Sequence, residues 1–229
     1  MKKILLLLSI TFLSLSVSAQ IMRAEELEKY AASKYGEKWT ESAENLRGDV
    51  SLDKNNSLTY VQIVECPGKT KEDLYIALNY WFTTTFNDAK SVISLNDKES
   101  GVIMAKGFIE GIAGHSGGMN SYIVSIEPVI RTDIKEGRVR VLYTVQNYNV
   151  AKYVGGGILG AINGDQGTRD DQNWLIDKTF PFVKKDGYKA KKSSSKAFVM
   201  THAYSNVIMD KIEEAIQEGI TGIDGGDDW

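Results

Sequence analysis

Apolar residues recur at helical spacing through residues 71–86, KEDLYIALNYWFTTTF. Leu74, Ala77, Leu78, Trp81, Phe82 and Phe86 fall on one face. Thr70 precedes the run and Asp73 follows three residues later, so hydroxyl and carboxylate can close a capping box on the first turn. Three large aromatic rings on one stripe need a broad apolar surface to cover them. The flanking runs have the period of strands and can supply it.

In residues 57–65, Leu58, Tyr60 and Val64 alternate with Val61 and Ile63. Apolar side chains therefore point both ways, which predicts an inner strand. Cys66-Pro67-Gly68 ends it. After the helix we expect a turn at 87–90, a short strand at 91–95, a charged turn at 96–101 and a hairpin partner at 102–110. Residues 111–120, glycine-rich and carrying His115, read as a loop. Two long strands follow, 121–134 and 138–150, joined at Lys135-Glu136-Gly137, where the glycine can take a positive φ. On the second strand Val139, Val141, Tyr143 and Val145 share one face. Arg138, Arg140, Leu142, Thr144, Gln146 and Tyr148 share the other, which is amphipathic and at least partly wet.

The flanks are less regular. Residues 20–56 form a polar leader with a short helix at 21–35, too poor in apolar surface to stand alone, so it docks or stays mobile. A turn is expected at 53–56. Residues 154–195 are an irregular insertion containing GGGILGAING, a polar stretch, Trp174 and a basic run at 184–192. Three serines at 193–195 then offer N-caps for a last helix, 196–218. Its stripe is Phe198, His202, Ser205, Met209, Ile212 and Ile216, which makes His202 a core or boundary histidine rather than a ligand. The main domain is thus expected over 57–220, and 221–229 is an acidic tail. Strands grouped between helices predict an α+β fold with helices packed on one face of an antiparallel sheet.

The first residues carry a basic pair, Lys2 and Lys3, an apolar run, and Val17-Ser18-Ala19, the three parts of an export signal, with cleavage expected after Ala19. Residues 1–19 are therefore read as a signal peptide and the protein as periplasmic or extracellular. No cysteine stands at the junction, so no lipid anchor is expected. Without the leader, 25 basic residues face 30 acidic ones, because two of the chain's 27 are lost; this argues against a nucleic-acid partner. Cys66 is the single cysteine, so no internal disulfide forms and stability rests on packing.

Four segments together resemble a known family: VQIVECPG at 61–68, TKEDLYIALNYWFTTTF at 70–86, AKSVISLNDKESGVIMAKG at 89–107 and DIKEGRVRVLYTV at 133–145. They are similar to the secreted TBP-like-fold (TATA-binding-protein-like) domains of unknown function common in Bacteroidetes. The resemblance implies a curved antiparallel sheet with helices on its convex side, in the order β-α-β-β-β-β-α. It implies no catalytic residue, and a fold shared with a DNA-binding protein does not carry that protein's function.

The chemistry on offer is sparse. Two histidines and one cysteine leave no zinc set of the usual kind, and Asp165, Asp170 and Asp171 match no calcium loop. No cofactor or metal is expected. The reading favoured is a non-catalytic binding or accessory module of the bacterial cell envelope, with an envelope protein, peptide or glycan as partner. Its candidate binding residues are Arg138, Arg140, Gln146 and Tyr148 on the sheet's uncovered side, with Trp174 from the insertion. Two alternatives are a hydrolase pairing Cys66 with His115 and membrane-surface association through 155–164, where glycines recur every four residues.

Overall fold

The computed structural model describes residues 21–86, 92–117, 120–155, 167–183 and 190–218. Two short helices come first, α1 (Ala24–Tyr35) and α2 (Trp39–Leu46), then β1 (Leu58–Glu65) and α3 (Lys71–Thr85). Eight strands follow: β2 (Ile93–Asp97), β3 (Val102–Lys106), β4 (Ile109–Ser116), β5 (Asn120–Ile126), β6 (Val129–Lys135), β7 (Arg138–Val145), β8 (Asn147–Val154) and β9 (Thr168–Leu175). A single turn of 3-10 helix (Ile176–Lys178) leads toward the long α4 (Lys192–Glu218).

The α+β class, the antiparallel pairing and the helices on the sheet's inner face agree with the expectation. The strands divide into two sheets, ordered β1-β7-β6-β3-β2 and β4-β5-β8-β9. Each of the two long strands read from the sequence is really a pair, cut where the chain passes from one sheet to the other. Glu127-Pro128 separates β5 from β6, and Gln146 separates β7 from β8. Proline cannot donate to a ladder, and its carbonyl instead accepts from the Gly107 amide at 2.9 Å. Residues 111–116 are also not the loop expected: they belong to β4, with its register broken between Ile109 and Ala113 and Gly111 at φ +63°, and Asn120 opens β5.

α3 forms as its pattern predicts. Thr70 Oγ1 accepts from the Asp73 amide at 3.1 Å, and Asp73 Oδ2 accepts from the Thr70 amide at 3.1 Å. Leu74, Ala77, Leu78, Trp81 and Phe82 are buried, and the Trp81 and Phe82 rings meet edge to face at 5.0 Å. The last helix begins earlier than expected, at Lys192, so Ser194 and Ser195 lie inside its first turns, buried, rather than capping it. α4 is buried on most sides over residues 197–209, whereas Asp210, Lys211, Glu214, Gln217 and Glu218 in its last turns are exposed. It touches β1 and β7 of one sheet, β4 and β5 of the other, and α1, α2 and α3.

The N-terminal helices dock on α4 rather than trailing. Leu27, Ala31, Trp39, Ala43 and Leu46 are buried, Lys196 Nζ holds Glu28 Oε1 at 2.7 Å, and the same ammonium lies 5.5 Å from the Trp39 ring centre. The turn at 53–56 is held by Asp53, whose carboxylate accepts from the amides of Asn55 and Ser57. No helix among the described residues is long and apolar enough to cross a membrane.

Candidate functional site

The five-stranded sheet has a lined inner face and an open outer one. Inward go Val139, Val141, Tyr143 and Val145 of β7, each 0% exposed, against α4. Alternation then sends Arg138, Arg140 and Leu142 outward. Cross-strand pairing sets Ile63 of β1 beside Arg140, and Asp133 of β6 beside it on the other side. A hollow of about 230 Å³ forms there, lined by Ile63, Asp133, Lys135, Arg138 and Arg140.

Its electrostatics are fixed by one carboxylate between two guanidiniums. Asp133 Oδ2 accepts from Arg140 Nε at 2.9 Å and Nη2 at 2.6 Å, while Oδ1 accepts from Arg131 Nε at 2.8 Å. Partial burial works against ionisation of Asp133, but the hydrogen bonds and charges of Arg131 and Arg140 outweigh it and hold the carboxyl below its usual range. Both arginines are thereby held in place. Arg138 and Lys135 have no ion-pair partner among the described residues, so the hollow keeps an excess of positive charge beside an exposed aliphatic side chain.

Of the five residues singled out from the sequence, the fold brings Arg138 and Arg140 together and disperses the rest. Gln146 is exposed at the passage between sheets. Tyr148 does not face the open side as expected. The interruption at Gln146 moves it to the other sheet, where it is 1% exposed and pairs across to Trp174. Trp174 is half-buried, 5.8 Å from the Tyr122 ring, and its Nε1–H donates to Gln172 Oε1 at 2.9 Å. Asp133, Arg131, Lys135 and Ile63 were not anticipated. The register of the tight β6–β7 hairpin contained the signal, since pairing Lys135 with Arg138 places Asp133 opposite Arg140.

Cys66 and His115 do not form a reactive pair. Cys66 closes the edge strand β1, is buried, and points its thiol at the Val64 carbonyl. Burial pushes that thiol's pKa up, away from a thiolate. His115 stands on β4, at the edge of the other sheet. His202 faces Tyr60, with Nδ1 3.3 Å from the hydroxyl, and its ring lies 5.2 Å from that of Tyr35. Gly156, Gly160 and Gly164, Asp165, residues 184–189 of the basic run and the acidic tail lie outside the described residues.

Residues 60–148 match the model of a family described as a domain of unknown function (DUF4468) with TBP-like fold. Among solved structures, the chain is similar to a TBP-like protein from Parabacteroides distasonis ATCC 8503, at 13% identity and TM-score 0.49, over 73% of this chain and 97% of that one. It is also similar to a DUF4468 family protein from Bacteroides ovatus ATCC 8483, at 14% identity and TM-score 0.46, over 74% and 91%. No curated protein matches the chain.

Proposed function

We propose that this chain, whose residues 60–148 match the model of a TBP-like-fold domain family of unknown function, is a non-catalytic binding module of the bacterial cell envelope. Its site is the open face of the five-stranded sheet. The observation that carries the reading is the hollow where Ile63 stands beside Arg138, Arg140 and Lys135, with Asp133 answering only part of the positive charge. A fixed cationic rim next to an aliphatic side chain suits an acidic peptide segment that also carries an apolar residue. Residues 1–19 act as an export signal, which puts the module where it meets envelope proteins.

The test uses immobilised protein and envelope extract, comparing wild type with Arg138→Glu/Arg140→Glu. Wild type retains a protein partner that the charge-reversed variant loses, and added salt weakens the retention. Equal capture by both, or capture that salt does not affect, sinks the reading. Export is tested separately: a periplasmic or secreted fraction whose N-terminal sequence starts at Gln20 supports it, and an intact Met1 start in the cytoplasm ends it.

A further inference from the structure

β1, expected to be an inner strand, is the edge of its sheet, and α4 ends against it. Gln62 Nε2 donates to Glu213 Oε2, and one turn further along the helix Gln217 Nε2 donates to the Glu65 carbonyl at 3.2 Å. Lys69 Nζ closes the helix end, 2.6 Å from the Ile216 carbonyl and 2.7 Å from that of Gln217. Glu65, where the helix finishes, pairs directly with Arg138, and Ile63 pairs with Arg140. α4 therefore hands the chain on at the rim of the hollow that Ile63, Lys135, Arg138 and Arg140 help to line. It does so from the sheet's covered side. With β1 at the edge, no further strand of that sheet separates the two sides there.

The residues that come next have the composition that the hollow calls for. Residues 219–229, GITGIDGGDDW, lie outside the described residues. Their sequence holds Asp224, Asp227 and Asp228, no lysine or arginine, and the apolar Ile223 and Trp229. Around the hollow, Arg131, Lys135, Arg138 and Arg140 are answered by Asp133 and by Glu65 across from Arg138. Glu136 is turned away, accepting from the Lys71 amide at 3.1 Å. Four cations against two carboxylates leave an excess of positive charge, which the acidic residues of 219–229 complement. Asp224 stands six residues beyond Glu218. That is about 20 Å of extended chain, enough to round one edge strand from a layer packed about 10 Å from the sheet.

We infer that residues 223–229 occupy the hollow of their own molecule, with aspartates on Arg138 and Arg140 and an apolar neighbour against Ile63. The inference rests on the reading of the hollow given above and names what regulates it: an external acidic segment binds by displacing the internal one. Attachment favours the chain's own segment over a separate molecule. A short linker, here with Gly219 and Gly222 in it, presents its segment at about millimolar effective concentration. At that concentration an internal contact with a dissociation constant of about 0.1 mM weakens an external competitor about tenfold. Arg140 is already held by Asp133, so little order is lost when a second carboxylate arrives.

Fluorescence anisotropy of a labelled peptide, GITGIDGGDDW, tests this on the purified protein with and without residues 219–229. The shortened protein binds the peptide, and the intact protein binds it at least about tenfold more weakly because its own segment is in place. Asp224→Asn/Asp227→Asn/Asp228→Asn keeps the length of the chain and makes the intact protein bind like the shortened one. Arg138→Glu/Arg140→Glu abolishes binding to the shortened protein with an unchanged circular dichroism spectrum, and salt weakens binding. Equal affinity of the intact and shortened proteins overturns the inference, as does a shortened protein that does not bind or that binds whatever stands at 138 and 140. So do dimers in sedimentation equilibrium that the triple variant lacks, because the segment then sits in a second copy. The two readings fail separately. A shortened protein that ignores the peptide yet captures an envelope partner through Arg138 and Arg140 ends this inference alone; peptide binding as expected with no partner captured ends the envelope reading alone.

Discussion

The five-stranded and four-stranded sheets share α4 but are built under different rules. In the first, β3, β6 and β7 alternate: Ile103, Ala105, Ile130, Ile134, Val139 and Val141 are buried on the helix side, while Arg131, Arg138 and Arg140 face outward. In the second, α4 packs on β4 and β5, and most of β9 is exposed. The lesson is that the pattern of a strand reports what covers it, not only that it is a strand. A strand covered by a helix shows the period of two. A polar strand held only by its neighbour shows almost no period.

The largest effect expected follows from α4 serving both sheets. Phe198 is 0% exposed and meets Phe182 edge to face at 5.2 Å. Phe198→Ala should cost about 3–5 kcal/mol, read as a lower midpoint in urea. Fluorescence from Trp81, on α3, and Trp174, on β9, should fall in one transition. Two separated transitions would show that the sheets unfold as independent units, against the shared-helix picture.

A smaller change belongs to the five-stranded side alone. Thr70→Ala removes the hydroxyl that accepts from the Asp73 amide and should cost about 1 kcal/mol. Asp73, whose hydrogen bonds with Thr70 hold its carboxyl below the usual range, should titrate closer to an ordinary aspartate in the variant. Carboxyl NMR titration checks both, and an unmoved Asp73 would mean that the cap does not form in solution.

What could be read from the chain divides along the same line. The capping box, the aromatic stripe of α3 and the pair Arg138 and Arg140 were legible, because a covered helix and a half-covered strand each impose a period on residue type. Pro128 and Gln146 were harder. Each interrupts a run whose apolar alternation continues on the far side, so two strands in different sheets look like one. The break at Gln146 is why Tyr148 was assigned to the wrong face. The strand β9 was invisible because Thr168 to Asn173 are polar, and β4 was hidden by Gly111 and Gly114. The docked leader was underestimated through Trp39, one ring supplying much of the apolar area the helices needed.

The next prediction concerns pH and sharpens the role of the α4–β1 contact. Burial lowers the pKa of His202 below 6.5, with the nearby Lys34 charge acting the same way and Asp49 opposing. The unfolded chain therefore takes up a proton near pH 6.5 while the folded chain does not. The stability His202 contributes is complete above about pH 6.5 and falls as pH drops toward its folded value. The carboxylates held low, Asp53 and Asp133 among them, act only below about pH 4, so the interval between isolates the histidine. Melting temperature should decline from pH 7 to 5 in wild type and flatten in His202→Gln. An equal decline in both would assign the titration elsewhere.

The smallest effect probes the seam between the sheets. The hydroxyls of Tyr143 and Tyr148 and of Thr201 are buried with no hydrogen-bond partner among the described residues. Burial pushes the Tyr148 phenol well above its ordinary pKa, with the neighbouring Thr201 hydroxyl pulling slightly the other way. Leaving such a group unpaired costs roughly 1–3 kcal/mol, whereas removing it leaves no partner orphaned. Tyr148→Phe should therefore be neutral or stabilising by up to about 1 kcal/mol, a rise of at most about 4 °C in Tm. A fall of similar size would mean that the hydroxyl is satisfied by buried water, and the two sheets would then meet across a wet seam rather than a dry one.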